Sequence, residues 1–131
     1  MIIDTSAILA ILYQEEDAEM FAHIIASEVD CKMSAANFLE AAINIDAKGD
    51  ATASRQLDAF MKRSAIAIES ITFEQAQVAR QAYIDYGKGN HPAKLNFGDC
   101  FAYALAKTEN EPLLFKGNDF IKTDLQLYPK Q

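Results

Sequence analysis

Met1-Ile2-Ile3-Asp4-Thr5-Ser6-Ala7-Ile8-Leu9-Ala10-Ile11-Leu12 begins as a short apolar run, stops at an acid, and continues with apolar residues at helical spacing. A strand that ends in a carboxylate and passes directly into a helix is one half of a strand-helix-strand unit, so this stretch predicts an α/β fold. The rest of the chain keeps the rhythm. A second helix is expected over 16–26, a short strand over 29–33, and a helix after Ser34, which stands where an N-cap belongs and precedes Phe38, Leu39, Ala42, Ile43 and Ile45. A helix over 51–62, a strand over 66–68 by β-branching, and a helix capped by Thr72 follow. Gly87-Lys88-Gly89-Asn90-His91-Pro92-Ala93-Lys94 is a loop, because its glycines, Asn90 and Pro92 all break regular structure. Asn96 to Asp99 then opens another helix, Leu113-Leu114-Phe115 is a fourth strand, and 125–128 is expected as an edge strand. The expectation is a three-layer α/β/α domain with a central, mainly parallel sheet of four or five strands, one domain over 1–131.

Composition narrows the function. The chain of 131 residues is 50% hydrophobic, enough for one core, and its formal net charge of −7 argues against wholesale wrapping of nucleic acid. It does not forbid a local basic patch. Asp4 interrupts the first apolar run and no basic leader precedes it, no run approaches a membrane span, and Cys31 and Cys100 read as reduced, buried thiols. A cytoplasmic protein with no membrane partner is expected. No Gly-x-Gly-x-x-Gly or Walker pattern occurs, which removes the usual nucleotide-cofactor reading of a parallel sheet.

The acids are where the plan becomes informative. Asp4 ends the first strand, Asp119 follows the fourth, Asp99 sits in the first turn of a helix, and Glu40 lies a turn or two into another. Ligands of open parallel sheets bind beyond the carboxyl ends of the strands, so all four side chains can converge there. Carboxylates so gathered repel unless a cation compensates them, and magnesium or manganese, which take oxygen ligands and keep several waters, suit phosphodiester cleavage. The amide dipoles at the helix start are expected to favour ionised Asp99. Each acid also has an ordinary local role: an Asp at a strand end or in a first helical turn caps, and Asp119 in Gly117-Asn118-Asp119 is the one that most resembles a mere turn residue. Asp4 and Glu40 fit the ordinary reading least, since each interrupts an apolar stretch.

Four blocks, Met1 to Ala7, Ser34 to Glu40, Leu95 to Ala106 and Pro112 to Phe120, together resemble the PIN-domain ribonucleases, specifically the VapC toxins of prokaryotic toxin-antitoxin pairs. The resemblance runs over essentially the whole chain and keeps the order and spacing of the acids. It implies a magnesium-dependent endoribonuclease toxin, with the metal (Mg2+, for which Mn2+ can substitute) held chiefly by Asp4 and Asp99, and with Glu40 and Asp119 completing the acidic site. It also implies a homodimer, a cognate antitoxin protein that fills the groove, and structured cellular RNA such as tRNA or rRNA as substrate. Thr5 and Ser6 match the hydroxyl residues that follow the first Asp in that family, while Asn96, Asn118 and Asp124 are polar neighbours without an assigned role.

Other constellations carry less. Lys88, His91, Lys94 and Lys116 form a basic rim or merely solvated loops, and His23 belongs to an amphipathic helix. Cys100 pairs with Ala104 along its helix, which points it into the core rather than toward a substrate. The aromatic residues between Phe73 and Tyr86 are expected to pack inward or to form a dimer surface. Two rival functions remain: a catalytically degenerate PIN-like module that binds RNA or protein, and a haloacid-dehalogenase-like phosphatase. The latter requires a second Asp two residues after the first, where this chain has Ser6.

Overall fold

The computed structural model describes residues 1–128 and contains a five-stranded, wholly parallel sheet in the order β3-β2-β1-β4-β5. The strands are short: β1 is Ile2–Ile3, β2 is Lys32–Ser34, β3 is Ala67–Glu69, β4 is Leu113–Leu114 and β5 is Leu127–Tyr128. Helices α1 (Thr5–Leu12) and α2 (Ala18–Ser27) connect β1 to β2, α3 (Ala35–Asp46) and α4 (Ala51–Ser64) connect β2 to β3, and α5 (Phe73–Tyr86) and α6 (Phe97–Glu109) return to β4.

Period-two alternation in the central strands makes the three layers. Ile3, Met33 and Leu114 pack with α1, α2, α3 and α4, whereas Ile2 and Leu113 pack with α5 and α6 and with Phe115 and Phe120 beyond β4. Ile2, Ile3, Leu113 and Leu114 are completely buried, worth about 1.5–3 kcal/mol for each side chain. Because the chain winds from β1 outward to β3 and then crosses to β4 on the other side of β1, the order reverses between β1 and β4. Such a switch point leaves a crevice at the carboxyl ends of the two strands.

The local signals explain most helix starts. Ser34 accepts from the Ala36 amide, Thr72 from Gln75, and Asn96 from Asp99, each capping the helix that follows. Several expectations need correction. The second strand begins at Lys32 rather than Val29, whose side chain is 94% exposed: β-branching alone does not make a strand where no neighbour pairs. Leu39 and Ile43 are exposed on α3, and Phe73 and Tyr83 are exposed on α5, where Ala79 and Ala82 make the inward contacts, so of the two expectations for these aromatics the inward packing does not hold. Small residues there let α5 and α6 approach closely. Among the described residues no helix is long and apolar enough to cross a membrane.

Candidate active site

Asp4 and Asp99 lie at the switch-point crevice, and both are buried, at 4% and 8% exposure. Asp4 follows β1 immediately, its amide bonded to the Leu114 carbonyl of β4. It is also the N-cap of α1: its Oδ2 accepts from the Ser6 amide (3.0 Å) and the Ser6 hydroxyl (2.6 Å). Asp99 closes a capping box at the start of α6, its Oδ2 accepting from the Asn96 amide (3.0 Å) while the Asn96 side chain accepts from the Asp99 amide (2.9 Å). The ordinary capping role is therefore real for both acids. It does not account for their burial beside one another, since a cap works as well at the surface.

Electrostatics registers the difference. Burial pushes the Asp4 carboxyl up to about 6, against the lowering effect of the Ser6 hydrogen bonds, and the Glu40 charge raises it further. Asp99 is pushed up to about 7, again by burial first, with the Asn96 amide opposing and the carboxylates of Asp4 and Asp119 adding repulsion. The amide at the helix start does favour ionised Asp99, as expected, but loss of water outweighs it. Asp119 occupies a turn and is exposed, yet its carboxyl reaches Asp99 closely enough to oppose its ionisation. Glu40 is likewise exposed, with Oε1 2.7 Å from the Thr5 hydroxyl. Each of the four sequence-predicted acids thus lies within electrostatic reach of another: Glu40 of Asp4, and Asp4 and Asp119 of Asp99.

The donor set suits a hard divalent cation. Two buried carboxylates that resist ionisation beside each other are what such a cation relieves, and magnesium binds through one or two carboxylates while keeping waters. Among the described residues no three His, Cys, Asp or Glu side chains stand close enough to form a complete protein cage. Asp4 and Asp99 would hold the ion, with Glu40 and Asp119 near its waters.

The surrounding candidates divide. Ser6 joins two elements, its hydroxyl donating to Asp4 and accepting from the Lys116 amide (2.8 Å) across the crevice. The Lys116 ammonium is engaged by Glu15 and Asp17, which discounts it as a free rim cation. Asp124 accepts from Tyr103 and Lys107 instead of facing the acids, and Asn118 lies exposed in the loop. In the loop before α6, His91 Nδ1 accepts from the Ala93 amide, and no ion pair among the described residues engages Lys88 or Lys94. Cys100 is buried and its thiol is pushed up to about 11 by burial, which removes it as a nucleophile.

Sequence reading gave no role to Asn37 or Gly98. Asn37 is completely buried in α3, and its Nδ2 donates to the Gly98 carbonyl of α6 (2.9 Å). A lone Asn in an apolar helix gives no sign of which face it occupies, so only the packing could find it.

The sequence profile of the PIN domain matches residues 1–125. The chain belongs to the PIN-domain family. Within it the similarity is to VapC ribonucleases: 49% identity over 127 residues with Ribonuclease VapC28 of Mycobacterium tuberculosis, covering 96% of both chains. Ribonuclease VapC of Mycolicibacterium smegmatis is 47% identical over 125 residues, covering 95% of this chain and 97% of its own. Among solved structures, Mycobacterium tuberculosis VapC20, described as a sarcin-ricin loop cleaving toxin, superposes with a TM-score of 0.75 at 13% identity over 95% of both chains. VapBC2 from Rickettsia felis, solved bound to a DNA fragment from its promoter, gives 0.75 at 15% identity over 96% of this chain and 95% of that one. These distant likenesses speak for the fold, and the close relatives place the chain among the VapC ribonucleases. Ribonucleases of this family generally depend on a divalent metal.

Proposed function

We propose that this chain is a magnesium-dependent endoribonuclease toxin that hydrolyses phosphodiester bonds of structured cellular RNA at the crevice between β1 and β4. The observation that carries the reading is the burial of Asp4 and Asp99 side by side with carboxyls raised to about 6 and 7. A fold tolerates that arrangement where a cation completes it. A bound magnesium or manganese ion supplies positive charge and Lewis acidity, activating a water and steadying the leaving oxygen. Asp4 and Asp99 hold that ion in the reading, while Ser6 fixes the rotamer of Asp4 and ties it to the loop that carries Asp119. Glu40 and Asp119, open to water, would stand near the waters such an ion keeps, and either carboxylate could take up the proton of an attacking water.

The partners in this reading are RNA, a cognate antitoxin protein and a second copy of the chain, in the cytoplasm. Support for the antitoxin comes from relatives solved as toxin-antitoxin assemblies, among them a complex from Klebsiella pneumoniae. One domain carries the whole activity. The test is cleavage of a structured RNA transcript with magnesium or manganese: it should stop with chelator and nearly stop with Asp4→Asn or Asp99→Asn in a chain that still folds. Full cleavage by the folded double variant would sink the proposal. It would point to a contaminating nuclease; the phosphatase reading, which also needs Asp4 and lacks an acid at Ser6, would fall with it.

A further inference from the structure

Glu40 reaches the acidic crevice from α3, and nothing in its own helix dictates that its flexible side chain should point there. Three contacts do so. The Thr5 hydroxyl, next to Asp4 in the chain, lies 2.7 Å from Glu40 Oε1 and 2.9 Å from the Asn37 main-chain oxygen, so its single proton serves the α3 segment that carries both residues. Asn37, one turn before Glu40 and on a neighbouring face, donates from Nδ2 to the Gly98 carbonyl. A carbonyl only accepts, so the orientation of the amide is fixed. Its Oδ1 is then left buried without a partner among the described residues. A native interior rarely carries such an orphan unless the group serves elsewhere, and here the other end of the amide joins α3 to the first turn of α6, one residue before Asp99.

Gly98 supplies the third contact by what it lacks. A Cβ at this position would fall 2.6 Å from Glu40 Oε1 and closer still to Oε2, well inside contact distance. Gly98 is not among the glycines with positive φ, so the backbone does not demand glycine there. The space is what matters. The atoms that a methyl group would displace are the far end of the Glu40 side chain, which the fold can move and the chemistry cannot.

We propose that Asn37 and Gly98 are positioning residues for Glu40: Asn37 clamps α3 to the start of α6, and Gly98 leaves the hollow that the Glu40 carboxylate fills. The inference rests on the reading of Glu40 as part of the cleavage site. A chain placed in this way separates activity from stability in an unusual manner, because an alanine in a helix is at least as favourable as a glycine.

The experiment measures cleavage of a structured RNA transcript with manganese, alongside thermal melting. Gly98→Ala should cleave about tenfold to a hundredfold more slowly, the scale of loss that follows an ångström of misplacement, while its melting temperature stays level or rises. Glu40→Asp, which withdraws the carboxylate by one methylene, should slow the native chain but restore part of the rate to Gly98→Ala. Asn37→Ala should also slow cleavage, and both losses should vanish when added to Glu40→Gln. Full-rate cleavage by Gly98→Ala beside a slow Glu40→Gln, or losses that multiply in the double variants, would overturn the positioning role alone. Native-rate cleavage by Glu40→Gln would overturn the site reading on which it rests.

Discussion

The two inner acids and the two outer ones do different physical work, although they share one crevice. Asp4 and Asp99 sit out of water, each tied by one oxygen to a helix start and each held back from ionising. Glu40 and Asp119 stand in water, and what they add is charge directed at the inner pair. Burial is thus the variable that separates the two pairs: under the proposed reading the inner carboxylates would hold a cation directly and the outer ones would act through the waters it keeps. The inner pair costs the fold stability and gains from an ion; the outer pair costs little and gains little.

The sharpest way to break that comparison is to neutralise an inner acid. Asp4→Asn and Asp99→Asn should each lower the cleavage rate by roughly a thousandfold or more, with melting at pH 7.5 and no added metal unchanged or improved, because a neutral amide replaces a buried charge. Equal losses at inner and outer positions would erase the distinction. Next in size, Glu40→Gln should lose about tenfold to a hundredfold and Asp119→Asn about tenfold or less in the same assay, with little change in melting.

The inner pair also predicts a pH signature. Both carboxyls have folded values above the usual carboxylate range, so the native chain binds more protons than the unfolded one between about pH 4 and 7. The pair's contribution to stability is therefore fully present below that window, falls as pH rises through it, and levels off above about 7. Melting followed by circular dichroism in chelator should drop by roughly 5 °C or more across the window, and magnesium or manganese should recover the loss at neutral pH. A flat profile, or a rise with pH, would mean the pair is better solvated than the geometry indicates. Smallest of all, Ser6→Ala should slow cleavage only a few-fold, on the scale of one hydrogen bond, because it frees the Asp4 rotamer and the Lys116 loop without removing charge.

How far these features were readable in advance follows from their range. The caps Ser34, Thr72 and Asn96 act on residues two or three positions away, so the helix starts were legible. Asp4 and Asp119 could be assigned to one sheet edge because parallel strands put their carboxyl ends together. What stayed hidden depends on distant neighbours: the exposure of Val29, Leu39 and Ile43, the two-residue length of β1, and the burial that overrides the helix dipole at Asp99. Asn37 and Gly98 belong to the same class, since each is informative only through a contact with the other's helix.

The double employment of Asp4 and Asp99 as caps and as inner acids bears on how such a chain can evolve. An N-cap functions with asparagine or serine nearly as well as with aspartate, and Asp99 only completes a box whose N-cap is Asn96, so under the proposed reading a single amino-acid change at either position would remove the chemistry and leave α1 and α6 starting where they did. Descendants can lose cutting before they lose shape. The crevice, its lip and its polar frame then persist in an inert protein free to be selected for holding a partner, and a lineage of binders can arise from a lineage of nucleases without passing through an unfolded ancestor.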